Sequence, residues 1–369
     1  NSLQSKCVIN ACGGYEGAWT GNTIGLGLDL ALQAGLPIRN LEFVGWTPLG
    51  VNGTNVVLPI GLLADGATLH HSNGTPLDIE LNADMTAISE AVGAASDVVL
   101  DARNMGESSV WWAQTFEMVK RRLGIDMNKQ TVAIQPRIVT TIGGIPTDEH
   151  GRAITGRWSR WFTGLYAAGG SACSGLHGAG LIAGNVMLDA MAGGAKAGEH
   201  AASYSSGAVH TGRAALEIAL GAVEADLDLD MAGSEKGPVQ RTGSLLTKLT
   251  EIMQSKLGSY RDAQGLESAL ESLEKLRDSA DKIHLDDTSR LYNSNLLDAL
   301  RLKAGIRLAI ATAKSALSRT ESRGTHRRLD FENQDNDQLH HSLVDVNGNT
   351  STLAIRKGGS GAWALSPDD

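Results

Sequence analysis

Paired glycines at the ends of two short apolar runs are the part of this sequence best suited to chemistry. The run from Val8 to Asn10 leads to Gly13 and Gly14, and a later run ends on Gly169 and Gly170. Where a strand ends on glycines, backbone N–H groups can approach a nucleotide closely because no side chain intervenes. The pattern therefore favours a nucleotide-binding α/β sheet.

Two other groups of reactive side chains are less well supported. His70 and His71 are adjacent, but the sequence offers no second ligand pair at metal-binding spacing, so we expect no metal site. Ser171, Cys173 and Ser174 lie in a glycine-rich loop, where a nucleophile would need a neighbouring general base. No Asp–His partnership can be argued from the sequence, so we expect no nucleophile here.

Composition excludes several classes of protein. The 32 Lys and Arg against 41 Asp and Glu give a net charge of −9, which provides no basic surface for nucleic acid or anionic lipid. Cys7, Cys12 and Cys173 are too few for a disulfide framework and favour a reducing compartment. Residues 161–188 are poor in charge but interrupted by glycine and serine, so we expect no membrane span.

The first half of the chain is predicted to alternate strands, loops and helices. A helix is expected over residues 25–35, followed by a strand-and-loop insert over 38–150 that contains one helix near 111–123. Small residues at helical spacing predict another helix over 178–200. Four of its residues are predicted to share one buried face: Ala179, Ile182, Val186 and Ala190.

The second half is predicted to be helical because no proline occurs between Pro238 and Pro367. A third helix is predicted from about Asn295, with Asp298 completing its capping pair. Residues 343–355 alternate in polarity and predict a hairpin. The apolar faces of the first two helices are Leu245, Leu249, Ile252 and Met253, then Leu266, Leu270, Leu273 and Leu276.

Four arginines follow the third helix, and two interpretations of them remain open. They form either a cationic helix end favoured by the helix dipole or a surface that faces a protein partner. The four residues are Arg319, Arg323, Arg327 and Arg328.

The order and spacing of several motifs resemble the flavoprotein subunit of succinate dehydrogenase and fumarate reductase, a family that also contains L-aspartate oxidase. The most specific block begins Thr141-Ile142-Gly143-Gly144-Ile145-Pro146-Thr147-Asp148 and continues with Gly164-Leu165-Tyr166-Ala167-Ala168-Gly169, His177-Gly178-Ala179 and Gly184-Asn185. Flanking segments that also resemble the family are Leu41 to Pro48, Gly265 to Leu276 and Ser322 to His326.

The resemblance implies an α/β plus all-α fold with four parts. Residues 1–50 and 140–235 would form an incomplete, Rossmann-like FAD-binding domain, and 51–139 an inserted capping domain. Residues 236–329 would form a three-helix domain, and 330–369 a tail with a hairpin. The family's first Gly-x-Gly-x-x-Gly unit has no counterpart in this sequence, which we take as truncation.

The resemblance also assigns the positions at which FAD would be contacted. The family's glutamate that holds a ribose hydroxyl of FAD is Gly170 here. We therefore expect no cofactor to be held by this chain alone, and FAD only together with a partner chain. The positions that could contact FAD are Gly13, Gly14, Gly169, Gly170, His177, Gly178 and Asn185.

At each charged substrate position of the family, this sequence carries a different residue, whereas His177 of the substrate-side motif is retained. The arginine after the His-Gly-Ala-Asn motif is Leu181, and the proton-transferring arginine is Met85. Two family histidines are replaced by Thr47 and Val139, and a Thr-Glu pair is replaced by Pro59 and Ile60. Without these groups a dicarboxylate has neither charge neutralisation nor a general acid, so no catalytic residue is expected.

Three hypotheses follow. The first is a non-catalytic structural or assembly subunit, a pseudoenzyme, in a complex II-like respiratory assembly. The second is the C-terminal half of a split FAD-dependent oxidoreductase, and the third is a fragment of a longer flavoenzyme. We expect obligate protein partners, either an iron–sulfur subunit or another flavoprotein chain, and no nucleic acid. The expected location is peripheral, on the matrix side of the mitochondrial inner membrane or at a bacterial cytoplasmic membrane.

Overall fold

The computed structural model forms two compact units, described separately below. Unit 1 contains residues 1–44 and 140–369, and unit 2 contains residues 45–139. The structure describes all residues except 1–2, 22–23, 80–84, 156–159, 183, 211, 215, 219, 222–223, 225–239, 286, 288, 290, 358–362 and 366–369.

Helices and strands alternate in the first half of the chain, and long helices dominate the second. The helices are α1 Gly17–Thr20, α2 Leu26–Gln33, α3 Gly61–Ala64, α4 Met85–Ala94, α5 Ser108–Trp111, α6 Ala113–Leu123, α7 Asn185–Gly207, α8 Thr242–Lys256, α9 Ala263–Ala280 and α10 Ser294–Ser318. The strands are β1 Val8–Asn10, β2 Ile38–Arg39, β3 Val44–Val51, β4 Thr68–His71, β5 Val98–Asp101, β6 Val132–Thr141, β7 Ile145–Pro146, β8 Arg152–Thr155, β9 Arg160–Ala167, β10 Ala172–Cys173, β11 Tyr260–Arg261, β12 Arg327–Arg328, β13 His340–Val344, β14 Thr350–Lys357 and β15 Trp363–Leu365.

The α/β part of unit 1 is built on the pairing of β1 with β9. The two strands are parallel, with Val8 opposite Leu165 and Asn10 opposite Ala167, and β8 pairs antiparallel with the other edge of β9. Helix α7 packs against this sheet through Ala197 and Ala201. Because both parallel strands end at the same edge of the sheet, the segments that follow them are brought together.

The buried face predicted for the helix over 178–200 is wrong. The helix begins at Asn185, so Ile182 lies in the preceding loop with 71% of its surface exposed, and Ala190 is exposed as well. The residues of α7 that are buried are Ala197 and Ala201, which contact Tyr166 and Ala168. Only small side chains fit there because helix and sheet approach closely.

Helices α8, α9 and α10 pack against one another, as the leucine spacing predicts. Leu245, Leu249 and Met253 of α8 are fully buried, as are Leu266 and Leu273 of α9.

The predicted cap of the third helix is wrong by two residues. The residue that caps α10 is Asn293, whose side chain accepts a hydrogen bond of 2.8 Å from the Leu296 amide. Asp298 instead contacts Arg301 at 3.4 Å. An Asn at the helix start supplies the oxygen that an unpaired amide needs.

The C-terminal part of unit 1 forms a sheet that includes β2. Residues 343–355, where a hairpin is predicted, span the end of β13, a turn and most of the antiparallel strand β14. Strand β13 also pairs antiparallel with β2, with Val344 opposite Ile38. This pairing ties the C-terminal strands to the segment that precedes unit 2.

The structure corrects both interpretations for two of the four arginines, while Arg323 and Arg327 are half-buried. Arg319 and Arg328 are buried, so they present no surface to a partner, and the last turn of α10 contains no basic residue. Arg319 donates to Glu42 and Glu321, each at 2.8 Å, and Arg328 donates to Asp330 at 2.6 Å. These side chains hold the core of unit 1 together.

Unit 2 has a core of its own. Its sheet has the strand order β3-β6-β5-β4, and helix α6 covers the region where a helix is predicted near residues 111–123. The core contains fully buried Leu49, Leu62, Leu100 and Val119. Among the described residues of the whole chain, no helix combines the length and apolar character needed to cross a bilayer.

Candidate functional site

The two glycine turns of unit 1 meet at the edge of the sheet. A Cβ atom on Gly170 would lie 3.1 Å from the backbone nitrogen of Gly14, and a Cβ on Gly14 would overlap the Thr141 hydroxyl. The Ser171 hydroxyl donates to the Gly13 carbonyl at 3.1 Å, so a hydrogen bond connects the two turns. Only glycine allows this close approach of two backbones, which is why the sequence places glycine in both turns.

His177 lies next to these turns and is paired with a carboxylate. Its Nε2 is 3.3 Å from Oδ2 of Asp189, in the second turn of α7. Gly178 follows with φ of 57°, a left-handed conformation that turns the loop back towards the helix. The sequence singled out His177 but not Asp189, because their separation along the chain matches no catalytic motif.

A small recess lies between the glycine turns and this pair. Its volume is only about 10 Å³. Among the described residues, no arginine or lysine lines it, so its titratable members are His177 and Asp189. The lining residues are Thr140, Thr141, Ile142, Gly169, Gly170, Ala172, His177, Leu181, Val186 and Asp189.

The recess does not fit the isoalloxazine ring of FAD as the residues stand. Its volume accommodates about one water molecule, whereas pockets for organic ligands are roughly 300–1,000 Å³. Gly170 also brings no carboxylate to hold a ribose hydroxyl. Of the predicted FAD-contacting residues, the recess includes Gly169, Gly170 and His177, while Gly13 and Gly14 lie directly behind Gly170.

Asn185 and Leu181 complete the predicted positions in unit 1. Asn185 is the first residue of α7, where the preceding Gly184 provides no side-chain cap. Leu181 places an apolar side chain in the wall of the recess, at the position where the family resemblance implies an arginine.

The remaining substrate positions lie in unit 2 and are described within it. Thr47 is buried in β3, and its hydroxyl accepts from the Leu49 amide at 3.5 Å. Pro59 and Ile60 immediately precede helix α3, and Met85 is the first residue of α4. Val139 lies in β6 with 42% of its surface exposed. None of these five side chains can ionise, so none can transfer a proton.

The metal and nucleophile positions are engaged in other contacts. His70 Nε2 is 2.7 Å from the Thr68 hydroxyl, and His71 Nδ1 is 2.9 Å from Oδ1 of Asp97. The part of the chain that the structure describes contains no group of three or more His, Cys, Asp or Glu able to hold a metal ion. Cys173 is buried, and burial raises the pKa of its thiol, which disfavours the reactive thiolate.

A buried polar cluster in unit 1 was missed by the sequence analysis. The Glu42 carboxylate accepts from Arg319 at 2.8 Å and from the hydroxyls of Ser315 and Ser342, each at 2.6 Å. Burial alone would raise the pKa of Glu42, but these donors outweigh it and the pKa falls to about 2. The Glu42-Phe43 run was noted only as part of a family motif, so no local pattern revealed its distant partners.

Two family models match the chain. One, described as an FAD binding domain, matches residues 4–187, and one described as the fumarate reductase flavoprotein C-terminal region matches residues 246–358.

Curated relatives and solved structures agree with these models. The fumarate reductase flavoprotein subunit of Escherichia coli is 28% identical over 94% of this chain and 63% of its own length. The succinate dehydrogenase flavoprotein subunit of Coxiella burnetii is 30% identical over 90% of this chain and 61% of its own length. A structure of the E. coli quinol fumarate reductase flavoprotein superposes with a TM-score of 0.82 at 26% identity, covering 94% of this chain and 64% of that one.

These matches cover both the α/β part and the helical part of the fold. The chain spans a little over 60% of the length of the curated relatives named above. The fold is α/β plus all-α, with a Rossmann-like FAD-binding domain and a C-terminal helical domain. The chain belongs to the family of succinate dehydrogenase and fumarate reductase flavoprotein subunits.

Proposed function

We propose that this chain is a non-catalytic member of its family, a pseudoenzyme that serves as a structural or assembly subunit in a complex II-like assembly. The observation that carries the proposal is the recess beside the glycine turns. Leu181 stands in its wall where the family resemblance implies an arginine, and His177 and Asp189 are paired with each other. A dicarboxylate there would lose its hydration without gaining a cation, which is strongly unfavourable.

Neither proton transfer nor hydride transfer has support from these residues. A positioned general acid or base typically contributes about 10²–10⁴-fold in rate, and the counterpart of the family's proton-transferring arginine is Met85. The absence of a carboxylate at Gly170 supports a chain that holds no flavin alone.

One observation favours a second candidate function, the C-terminal half of a split FAD-dependent oxidoreductase. Large apolar side chains stand exposed near the recess and along the first turns of α7. Leu176 is 69% exposed, Met187 71%, Leu188 64% and Met191 66%. Such a patch on a monomer marks an interaction site, and a second chain seated on it could complete a flavin site.

Both candidates involve protein partners and a peripheral position at a membrane. The solved neighbours include a quinol fumarate reductase with menaquinol molecules, whose flavoprotein superposes with a TM-score of 0.82. We propose that this chain works beside an iron–sulfur subunit or another flavoprotein chain. The membrane would be the mitochondrial inner membrane on its matrix side, or a bacterial cytoplasmic membrane.

The deciding experiment isolates the native complex through a tag on this chain. Its flavin content is measured and assigned to a subunit by crosslinking, and succinate oxidation and fumarate reduction are assayed. We expect no flavin at this chain and no effect of His177→Gln on any activity of the complex. Flavin at the glycine turns, with turnover lowered by His177→Gln, would overturn the pseudoenzyme and support the split enzyme.

Exposed His210 offers a matched control for this experiment. His210→Gln changes the same residue type away from the recess, so it should leave the activity of the complex unchanged under either candidate. A loss of activity in both variants would indicate general destabilisation rather than a role for His177.

A further inference from the structure

A cavity of about 950 Å³ in unit 1 lies next to the recess and shares Gly169, Ala172 and Asp189 with it. We call it the α7 cavity. Its lining includes Asp189 and Lys196 of α7, Arg152 of β8, Leu176, Arg39 of β2 and His341 of β13. Its volume is in the range of small-molecule sites, roughly 300–1,000 Å³. Gly169 and Gly178, two of the positions that the family resemblance assigns to FAD contact, belong to its lining.

Arg39 is a buried cation at the wall of this cavity. Only 2% of its surface is exposed, and its Nη1 donates to the Cys173 carbonyl at 3.2 Å. Its Nε finds no hydrogen-bond partner, and no carboxylate within the described residues pairs with it. A guanidinium stays protonated even when buried, and an isolated buried charge is costly. An anion in the cavity would supply the missing counter-charge.

His341 presents a second donor to the same cavity. The Ser342 amide donates to Oδ1 of Asn40 at 3.2 Å, which turns the Asn40 Nδ2 towards His341 Nδ1 at 2.9 Å. Since Nδ1 then accepts, Nε2 carries the proton. Burial and the nearby Arg39 lower the pKa of His341 to about 3, so its ring is neutral at pH 7.

The backbone holds Asn40 in place for this role. Its φ of 58° is left-handed, a conformation that Asn tolerates better than most residues. Its Nδ2 also lies 3.8 Å from the Cys173 sulfur. The Arg39 guanidinium and Nε2 of His341 therefore belong to one rigid cluster, because Asn40 follows Arg39 in the chain and contacts the His341 ring.

Three acidic side chains line the α7 cavity, and one of them, Asp148, is paired with a permanent cation. Asp148 accepts from Arg152 at 2.6 Å, and Asp189 is paired with His177. Glu149 lies at the rim with 74% of its side chain exposed. Lys196 lines the cavity and, within the described residues, forms no ion pair. The formal charges of the lining balance, because Arg39, Arg152 and Lys196 oppose Asp148, Glu149 and Asp189. Arg39 is the cation among them that is buried and, within the described residues, has no carboxylate partner.

We propose that the α7 cavity binds a small organic monocarboxylate. The carboxylate would accept from Arg39 and from Nε2 of His341, with Lys196 adding charge at the rim, and the apolar body would lie against Ala168, Leu176 and Leu339. One buried cation suits a single negative charge, and the apolar wall suits an organic body rather than a free inorganic ion. The proposal is independent of whether the chain is catalytic.

Calorimetric titration of the full chain tests the proposal with three probes: octanoate, octan-1-ol and inorganic phosphate. We expect octanoate to bind, octan-1-ol at least about tenfold more weakly because it has no charge, and phosphate at least about tenfold more weakly because it has no apolar body. Equal affinity for octanol would overturn the role of the charge, and tighter binding of phosphate would overturn the organic ligand.

Variants locate the site. Arg39→Gln should weaken octanoate binding at least about tenfold, and Arg39→Lys should restore part of it because the charge returns. Arg277→Gln, which changes a half-exposed arginine of α9, is the matched control and should have no effect. Unchanged affinity in Arg39→Gln would overturn the proposal.

A spectroscopic readout on the unmodified chain decides the matter if Arg39→Gln does not fold. In ¹⁵N-histidine spectra, octanoate should shift the Nε2 signal of His341 and leave buried His326, which does not line the cavity, unchanged. Absence of a shift at His341 while octanoate binds would place the ligand elsewhere and reject the site.

Discussion

Two histidines of unit 1 are buried in neutral form, and each lies near a guanidinium group. Burial and then Arg261 lower the pKa of His326 to about 3, and burial and then Arg39 lower that of His341 to the same range. His326 Nδ1 is 3.1 Å from Arg261 Nη1, so the ring acts as an acceptor and cannot be protonated cheaply. Both residues therefore make the free energy of unfolding depend on pH.

This coupling predicts that acid weakens the protein well above the range of its carboxylates. Each histidine has a folded pKa below its unfolded value of 6.5, so its full contribution is present above pH 6.5 and is lost as pH falls towards 3. We expect the free energy of unfolding to fall by about 1.4 kcal/mol per pH unit for each histidine in that window. Urea denaturation between pH 7 and pH 4 measures it.

The slope, rather than the absolute stability, is the informative quantity. His341→Asn should lower the change in unfolding free energy per pH unit by the contribution of one proton. His210→Gln, at an exposed position, should not change this slope. A slope that is unaffected by His341→Asn would show that this ring is protonated in the folded state.

At the scale of elements, Arg319 connects the end of α10 to three other segments. It donates to Glu42 before β3, to Glu321, and to the His340 carbonyl at the start of β13 at 2.9 Å. Because the side chains of Arg319, Glu42 and Glu321 are fully buried, their charges depend on one another.

Arg319→Met should therefore destabilise unit 1 by roughly 3–5 kcal/mol, because it leaves the buried Glu42 carboxylate without its cation, whereas Glu321 keeps Arg323 at 2.8 Å. Arg277→Met, at a surface ion pair of α9, should cost less than about 0.5 kcal/mol. Guanidinium denaturation of both variants measures the difference. Equal effects would show that the buried cluster contributes no more than a surface pair.

The buried face of a helix could be predicted from the sequence only where large side chains form it. Leucines three or four apart identified the buried faces of α8 and α9 because large side chains must face a core. Helix α7 contacts the sheet through alanines, and alanine also suits exposed helix positions, so periodicity pointed to Ile182 and Ala190 instead. The parallel β1–β9 sheet could be anticipated from its glycine turns.

The candidate site was predictable in its residue types but not in its pairings. Motifs identified Gly169, Gly170, His177 and Leu181, and these four residues lie around one recess. Asp189 and the Arg39–Asn40–His341 cluster were not identified, because their members come from distant parts of the chain. Contacts of that kind follow from the tertiary fold and leave no local pattern.

At the scale of the whole molecule, unit 2 has the features of an inserted domain. It is a continuous stretch, residues 45–139, with its own sheet and a core around Leu62, Leu100, Phe116 and Val119. A stretch with its own core can fold alone.

We expect residues 45–139, expressed alone, to unfold cooperatively on heating, as followed by circular dichroism. Phe116→Ala should destabilise this fragment by roughly 3–5 kcal/mol because it empties a buried position, while Trp111→Ala, at a residue 81% exposed, should have little effect. A fragment without a cooperative transition would show that its core depends on unit 1.

The pairing of β2 with β13 has a consequence for how the protein is made. Ile38 pairs with Val344, so the sheet that closes unit 1 cannot form on the ribosome until the last strands have emerged. Unit 2 is complete long before that moment, while β1 and β2 wait without partners. Newly made chains should therefore depend on chaperones that shield these early strands, and translation speed should affect the yield of unit 1 more than that of unit 2.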